Sequence, residues 1–131
     1  MDKKYLDANI FIQGILREDN NSKETLLRIA KGEFIGVTSL LSWDEITFIV
    51  RKFIGKEIAE IEGRKLFKLP NLKFVEVNRN IINKAQKIFE KYNIKPRDSI
   101  HAATAILQGC KEIISEDSDF DKVSELKRVA I

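Results

Sequence analysis

KKYLDANIFI, residues 3–12, has the pattern of a short strand that turns directly into a helix. Lys3–Leu6 ends in apolar residues, and Ile10 and Phe11 begin an apolar pattern with helical spacing. Asp7 is therefore predicted to lie at the carboxyl end of a buried strand. Because an unpaired charge in that position is costly, we expect Asp7 to have a partner.

Outward from this segment, predicted strands and helices alternate along the whole chain. Further strands are predicted at residues 34–37, 72–77, 112–115 and 128–131, and helices at 21–31, 40–54, 56–69, 81–92 and 97–107, with a helical turn at 119–123. Thr38 or Ser39 is expected to cap the helix that follows it, and Gly55 to end or bend that helix. Strands separated by helices require right-handed crossovers, which predicts an α/β fold with a parallel sheet and helices on both faces.

The composition predicts one compact domain. The chain has 131 residues, of which 44% are hydrophobic, and this is enough apolar material for a single core. Cys110 is the only cysteine, so neither an intrachain disulfide nor a Cys/His zinc site can form, which favours a reducing, cytoplasmic setting. No stretch approaches the ~18 uncharged apolar residues of a membrane span, so we expect a soluble, unprocessed protein. The net charge of +3 and the pI near 9.0 are compatible with nucleic-acid binding but do not require it.

Acidic residues follow two of the predicted strands. Asp7 comes directly after the first strand, and the segment IISEDSDF places Asp117 and Asp119 in the loop after the fourth. In open parallel sheets, ligands bind outside the carboxyl ends of the strands. The topology therefore predicts that these acids lie at the same edge of the sheet.

Two predicted helices carry further candidate carboxylates. In SWDEITFIV, Glu45 is four residues from both Leu41 and Ile49, on the inward face of the helix, whereas Asp44 is rotated about 100° away. Glu45 is therefore the buried candidate. In KPRDSIHAATAI, Asp98 stands in the first turn of the other helix.

A cluster of these acids would have the chemistry of a metal site. Carboxylates held close together repel one another and raise each other's pKa values, so such a cluster persists when cations neutralise it. All-oxygen ligands suit Mg²⁺ or Mn²⁺, which can orient water for in-line attack on a phosphodiester. Taken singly, each acid also has a structural explanation: a helix cap for Asp7, a helix-dipole contact for Asp98, ordinary loop positions for Asp117 and Asp119, and a half-buried side chain reaching solvent for Glu45.

Taken in order, the acidic segments resemble the four motifs of the PIN domain, with a spacing close to that of VapC-type toxins. YLDANIFI resembles the first motif, TSLLSWDEITFIV the second, PRDSIHAATA the third and ISEDSDF the fourth. The last two are the most specific, because an Asp before a His-Ala-rich helix, followed by a Ser-x-Asp-x-Asp-Phe loop, is a distinctive succession. The resemblance covers essentially the whole chain and implies a single PIN domain over residues 1–131.

The resemblance also implies an architecture, an activity and partners. These are a three-layer α/β/α sandwich with a parallel sheet of about four or five strands, an RNA endonuclease that depends on Mg²⁺ (or Mn²⁺), a homodimer, and a cognate antitoxin that blocks cleavage. Carried over motif by motif, the implied catalytic and metal-binding acids are Asp7, Glu45, Asp98 and Asp117, with Asp119 as an auxiliary metal ligand and with Asn9 and Ser115 as hydrogen-bonding supports for the first and fourth acids. Which acid of the fourth motif reaches the metal stays open, because the family varies there. His101, the only histidine, is expected to pack or hydrogen-bond near the site, because water activated by the metal can supply the nucleophile.

Two other enzyme classes fail at their central residue. A haloacid-dehalogenase-like phosphatase needs a second Asp two residues after Asp7, where this chain has Asn9. A receiver domain needs an Asp at the end of its third strand, where Asn78 follows VEV. The alternative that stays open is a PIN module that processes RNA, or that binds RNA or a protein partner without cleaving.

Overall fold

The computed structural model describes residues 2–131, which form a five-stranded parallel sheet between two layers of helices. The strands are β1 (Lys3–Leu6), β2 (Ile35–Ser39), β3 (Leu72–Val75), β4 (Glu112–Ile114) and β5 (Lys127–Val129). The helices are α1 (Ala8–Leu16), α2 (Asn20–Ala30), α3 (Leu41–Phe53), α4 (Lys56–Leu66), α5 (Arg79–Lys91) and α6 (Pro96–Leu107). A short 3₁₀ helix, Ser118–Lys122, connects β4 to β5.

The strand order is β3-β2-β1-β4-β5, and every neighbouring pair is parallel. The chain moves outward from β1 to β3 and then returns to place β4 on the other side of β1. The direction of the order therefore reverses between β1 and β4, which is where open parallel sheets bind their ligands. Asp7 and Ser115 directly follow these two strands, and the Asp7 N–H donates to the Ile114 carbonyl at 3.1 Å.

Alternate strand residues pack into two separate cores, one on each face of the sheet. Tyr5 packs with side chains of α5 and α6, whereas its neighbour Leu6 packs with side chains of α1, α2, α3 and α4. Both residues are fully buried. The structure therefore confirms the predicted α/β/α sandwich and sets the number of strands at five. None of the helices within residues 2–131 is long and apolar enough to cross a membrane.

The predicted helices and strands are all present, with differences of a few residues at their ends. The largest difference in role is at the start of α3, where Thr38 and Ser39 are the last residues of β2 rather than helix caps. The Ser39 Oγ still accepts the Leu41 N–H at 3.0 Å, so it satisfies one of the first backbone donors of the helix. Gly55 lies between α3 and α4 with a φ of 123°, a conformation that favours glycine, and so it ends α3 as predicted.

Candidate functional site

The five predicted acids lie at the carboxyl edge of the sheet, although they come from four different parts of the chain. Asp7 follows β1 and Asp117 follows β4. Glu45 belongs to α3, Asp98 to α6 and Asp119 to the 3₁₀ helix. A cavity of about 510 Å³ opens at this edge, and Glu45, Asp98 and Asp117 contribute to its wall.

Three of the acids form the tightest group. Asp98, Asp117 and Asp119 each offer a carboxylate oxygen, and these three oxygens lie within 4.8 Å of one another. The Asp98 Oδ2 is buried and has no hydrogen-bond partner among the described residues. Burial, followed by the charges of Asp117 and Asp7, raises the pKa of Asp98 to about 7. A carboxyl group that has a buried oxygen without a donor and that lies beside two further acids is in an environment that a bound cation would stabilise.

The loop after β4 holds its two acids in different ways. The Asp117 Oδ1 accepts the Asp119 N–H at 2.9 Å, and the Asp117 N–H donates to the Ser115 Oγ at 3.0 Å. Asp119 instead pairs with Lys122, whose Nζ lies 3.2 Å from its Oδ1. Asp117 therefore has no cationic side chain of its own within residues 2–131, whereas Asp119 is already partly neutralised.

Asp7 is buried and is held by Ser115. The Ser115 Oγ donates to the Asp7 Oδ2 at 2.7 Å and accepts from the Asn9 Nδ2 at 3.3 Å. Asn9 thus contacts Ser115 rather than an acid, so its support for Asp7 is indirect. Burial raises the pKa of Asp7, while the His101 ring and the Ser115 hydrogen bond act in the opposite direction. Although Asp7 precedes α1, its side chain makes no capping hydrogen bond, so the simple capping explanation does not account for it.

Glu45 faces the site and Asp44 faces solvent, as their helical spacing predicts. The Glu45 side chain is 20% exposed and that of Asp44 is 56% exposed. The Glu45 Oε1 lies 2.5 Å from the His101 Nε2, and the Asp7 Oδ1 lies 3.9 Å from the same nitrogen. His101 therefore hydrogen-bonds at the site, as expected from the sequence.

The other ring nitrogen of His101 contacts a residue that the sequence did not identify. The Tyr5 Oη lies 2.6 Å from the His101 Nδ1, and it also accepts the Ser39 N–H at 3.1 Å. Because the phenol oxygen already accepts one hydrogen bond, its own O–H is free to donate to Nδ1. In the neutral imidazole the Nε2 then carries the ring hydrogen and donates it to Glu45, and in the charged form both ring nitrogens donate. Tyr5 resembles any apolar strand residue in the sequence, so no signal pointed to this role.

The charge of His101 depends on opposing effects. Burial on its own lowers the pKa of the ring, because it removes the charged form from water. The hydrogen bond to Glu45 and the charges of Asp7, Glu45 and Asp98 raise the pKa, and together they exceed the effect of burial.

Two basic residues lie at the mouth of the acidic cavity. Lys95 and Arg97 are exposed and flank Pro96, the first residue of α6. The Arg97 Nη2 lies 3.8 Å from Asp44, a contact between exposed groups that holds the side chain only weakly. Positive charge at the rim of an acidic cavity can attract a polyanion whose reacting group must approach the acids.

The donor set fits a hard divalent cation. Within residues 2–131, the group with oxygens close enough to share an ion consists of carboxylates alone, and carboxylate oxygens suit Mg²⁺ and Mn²⁺. The unpartnered Asp98 oxygen and the raised pKa of that carboxyl both indicate that the protein alone leaves this negative charge uncompensated.

Comparison with known proteins identifies one domain family. The PIN domain profile matches residues 4–126. A search among curated proteins finds no match. Among solved structures, VapBC2 from Rickettsia felis bound to a promoter DNA fragment has a TM-score of 0.79 at 17% identity, covering 98% of both chains.

Two further solved structures share the fold. DNA-bound VapBC from Salmonella typhimurium has a TM-score of 0.77 at 15% identity, covering 99% of this chain and 98% of that one. VapC20 from Mycobacterium tuberculosis, described as a toxin that cleaves the sarcin–ricin loop, has a TM-score of 0.75 at 12% identity, covering 92% and 95% of the two chains. At these identities the likeness is one of fold.

Proposed function

Because this chain belongs to the PIN domain family, we propose that residues 1–131 form a single PIN domain that hydrolyses RNA phosphodiester bonds with Mg²⁺ or Mn²⁺ and acts as the toxin of a toxin–antitoxin pair. The observation that carries the proposal is the group formed by Asp98, Asp117 and Asp119, whose oxygens lie within 4.8 Å of one another. The unpartnered Asp98 oxygen supports a cation at this position.

Each acid has a distinct task in the proposed reaction. Asp98 and Asp117 would hold the cation, Asp119 would assist, and Asp7 and Glu45 would complete the ligand set directly or through water. A divalent cation bound there would activate water for attack and stabilise negative charge on the phosphate. Burial of Asp7 against Ser115 keeps its carboxylate in one orientation.

The basic residues at the mouth of the cavity would bind the substrate backbone. Lys95 and Arg97 are exposed on the same rim as Asp98, so they would meet phosphates on either side of the reacting bond. Phosphate contacts of this kind position a strand without selecting a sequence. Choice of RNA would then depend on the shape of the substrate.

Cleavage assays with matched variants test the proposed activity. Purified protein is incubated with fluorescent single-stranded and hairpin RNAs. One of them is a sarcin–ricin-like hairpin, because the structurally similar VapC20 is described as cleaving that loop. We expect cleavage with Mg²⁺ or Mn²⁺ and none in excess EDTA. Asp98→Asn should reduce the rate by at least about 100-fold, since it removes a group expected to act in the transition state. The control Asp44→Asn changes an exposed acid of α3 and should leave the rate within about twofold.

The result also decides between cleavage and binding without cleavage. Cleavage that persists in EDTA, or in Asp98→Asn at the wild-type rate, contradicts the proposed site. RNA binding without any cleavage under these conditions would favour the non-cleaving PIN module.

We further propose that an antitoxin segment binds in an apolar groove between α3 and α4. The cavity there is about 750 Å³, larger than the acidic one, and its three aromatic side chains, Trp43, Phe48 and Phe67, are exposed. Gly63 permits the close approach of the helices, because a Cβ there would lie 3.1 Å from the Trp43 Nε1. The similar structures are toxin–antitoxin complexes, which supports a protein segment with apolar anchors as the occupant.

The groove can be tested separately from the acidic site. Co-expression with a small protein encoded by a neighbouring gene, chosen as the candidate antitoxin, should yield a complex that inhibits RNA cleavage. Phe48→Asp should abolish the complex and leave cleavage intact, because Phe48 is 62% exposed and does not line the acidic cavity. Phe89→Asp on α5 is the matched control, with a phenylalanine that is 46% exposed. Inhibition that survives Phe48→Asp would place the partner elsewhere.

We also propose that the free protein is a homodimer, as the family resemblance implies. Sedimentation equilibrium should then give twice the chain mass of 15.1 kDa. A mass of one chain at micromolar concentration would contradict this.

A further inference from the structure

We propose that His101, itself held by Tyr5, is a positioning residue that orients the Glu45 carboxylate toward the bound cation. This inference rests on the proposed metal site. It assigns to Tyr5 and His101, which are not acids, a task in the assembly of that site. It is carried by the hydrogen bonds, the burial and the position of the three side chains.

Glu45 depends on His101 in a way that the other acids do not. Its carboxylate has one hydrogen-bond partner among the described residues, and that partner is the His101 Nε2. By contrast, Asp7 is held by the Ser115 hydroxyl, and Asp117 is held by the backbone of its own loop. Glu45 also has the longest acidic side chain of the site, with more rotatable bonds to fix. The imidazole supplies the constraint that the helix alone does not.

His101 is able to supply this constraint because its own ring is fixed. The ring is fully buried, and its other nitrogen is hydrogen-bonded to the Tyr5 Oη, 2.6 Å away. The Tyr5 ring meets the imidazole edge to face, with centroids 5.7 Å apart. The Tyr5 oxygen in turn accepts the Ser39 N–H, which belongs to the last residue of β2. The chain of contacts therefore ends on the backbone of the sheet.

The three side chains connect the two helical layers at the site. Glu45 belongs to α3 on one face of the sheet, His101 to α6 on the other, and Tyr5 to β1 between them. A hydrogen-bond partner of this kind sets the orientation of a ligand, and its removal weakens metal binding about 10- to 100-fold in other metal sites. We expect the same effect here, with Glu45 as the ligand affected.

Mn²⁺ affinity, measured by isothermal titration calorimetry on the full chain, tests the inference without reference to RNA cleavage. His101→Leu should weaken Mn²⁺ binding about tenfold or more. His101→Gln should recover most of the affinity, since its amide N–H can donate to Glu45 from nearly the same place. Tyr5→Phe, which retains the ring and removes the hydroxyl, should give an intermediate loss of about threefold to tenfold.

A double-variant comparison separates positioning from a general loss of structure. If His101 acts through Glu45, then His101→Leu combined with Glu45→Gln should bind Mn²⁺ no more weakly than Glu45→Gln alone. If the two losses add, or if His101→Leu binds like the wild type, the inference is wrong. If His101→Leu does not fold, Tyr5→Phe replaces it and is compared alone and combined with Glu45→Gln. Losses of Mn²⁺ affinity that add in this pair also overturn the inference.

The outcomes distinguish this inference from the proposed function. Mn²⁺ binding with the expected pattern of losses, but no RNA cleavage, supports the positioning role and contradicts the nuclease. Cleavage that requires Mn²⁺ but is indifferent to His101 contradicts the positioning role alone. Absence of Mn²⁺ binding by the wild-type protein contradicts both.

Discussion

A carboxylate oxygen of Asp98, which belongs to α6, lies within 4.8 Å of one from Asp117, which belongs to the loop after β4. Neither acid has a cationic side chain directed at it among the described residues, and the Asp98 Oδ2 has no hydrogen-bond donor at all. The two carboxylates therefore repel each other in the metal-free protein, and a bound cation would relieve that repulsion.

The stability of the metal-free protein should depend on pH through Asp98. Because the pKa of Asp98 is raised from 3.8 to about 7 in the folded chain, the folded state binds this proton more tightly than the unfolded state. The stabilisation is complete below about pH 4 and is lost as the pH rises through 7. At pH 8, Asp98→Asn should therefore be more stable than the wild type by roughly 1 to 2 kcal/mol, after allowance for solvent screening.

Thermal unfolding in EDTA at several pH values measures this difference. The advantage of Asp98→Asn should shrink as the pH is lowered from 8 to 4. Asp44→Asn should shift the midpoint by no more than about 2 °C, because Asp44 is exposed. A midpoint difference between Asp98→Asn and the wild type that is the same at every pH would contradict a raised pKa for Asp98.

The two acids of the fourth motif should differ in their effect on metal binding. Lys122 already pairs with Asp119 at 3.2 Å, whereas Asp117 has no such partner within residues 2–131. The unneutralised carboxylate gains more from a cation, so Asp117→Asn should weaken Mn²⁺ binding more than Asp119→Asn, by about tenfold. Calorimetric titration of the two variants provides the comparison. Equal losses, or a larger loss in Asp119→Asn, would make Asp119 the principal ligand.

The features of the site that sequence could predict are those determined by local spacing. Glu45 faces inward and Asp44 outward because consecutive residues of a helix differ by about 100°. Asp7 follows β1 because the strand pattern stops there. The Tyr5–His101 hydrogen bond could not be predicted in this way, since it joins residues 96 positions apart and any aromatic strand residue has the same appearance in a sequence.

The fold shows the same division between local and long-range information. Hydrophobic periodicity located β1, α5 and α6 to within a few residues, because these patterns are contained in short segments. The pairing of β1 with β4 depends instead on which surfaces meet after the chain has collapsed, and no local pattern carries that information. The sequence predicted only that Asp7 and Asp117 lie at the same edge of the sheet, and the observed order β3-β2-β1-β4-β5 places Asp7 beside the loop that carries Asp117.

Lys95 and Arg97 should contribute to RNA binding rather than to the chemical step. Replacing both with Gln in the Asp98→Asn background should weaken RNA affinity. The slope of the logarithm of the binding constant against the logarithm of the salt concentration should become shallower by about 0.7 for each phosphate that is no longer neutralised. Fluorescence anisotropy over a range of salt concentrations measures both quantities. Lys111→Gln, which is exposed at the opposite, amino-terminal end of β4, is the control and should change neither. An unchanged slope in the double variant would place the RNA elsewhere.

Gly36 of β2 is closely surrounded by apolar side chains of the core behind the site. A Cβ at this position would lie 2.7 Å from the Leu6 Cδ1, 3.0 Å from the Leu72 Cδ1 and 3.1 Å from the Ile29 Cδ1. Leu6 is fully buried and directly precedes Asp7, so it has little room to move without displacing the first acid. Gly36→Ala should therefore cost about 1 to 3 kcal/mol, as overpacking in a core commonly does.

The matched control is Gly14→Ala in α1, where a new Cβ would meet only the Ser22 Cβ, at an ordinary contact distance of 3.7 Å. Alanine favours the helix over glycine, so this variant should be more stable than the wild type by up to about 1 kcal/mol. Thermal unfolding should thus show a fall of roughly 4 to 10 °C for Gly36→Ala and a small rise for Gly14→Ala. Because Leu6 adjoins Asp7, the first variant should also weaken Mn²⁺ binding at a temperature where it is fully folded. If Gly36→Ala were as stable as the wild type, the close contact between Gly36 of β2 and Leu6 of β1 would be wrong.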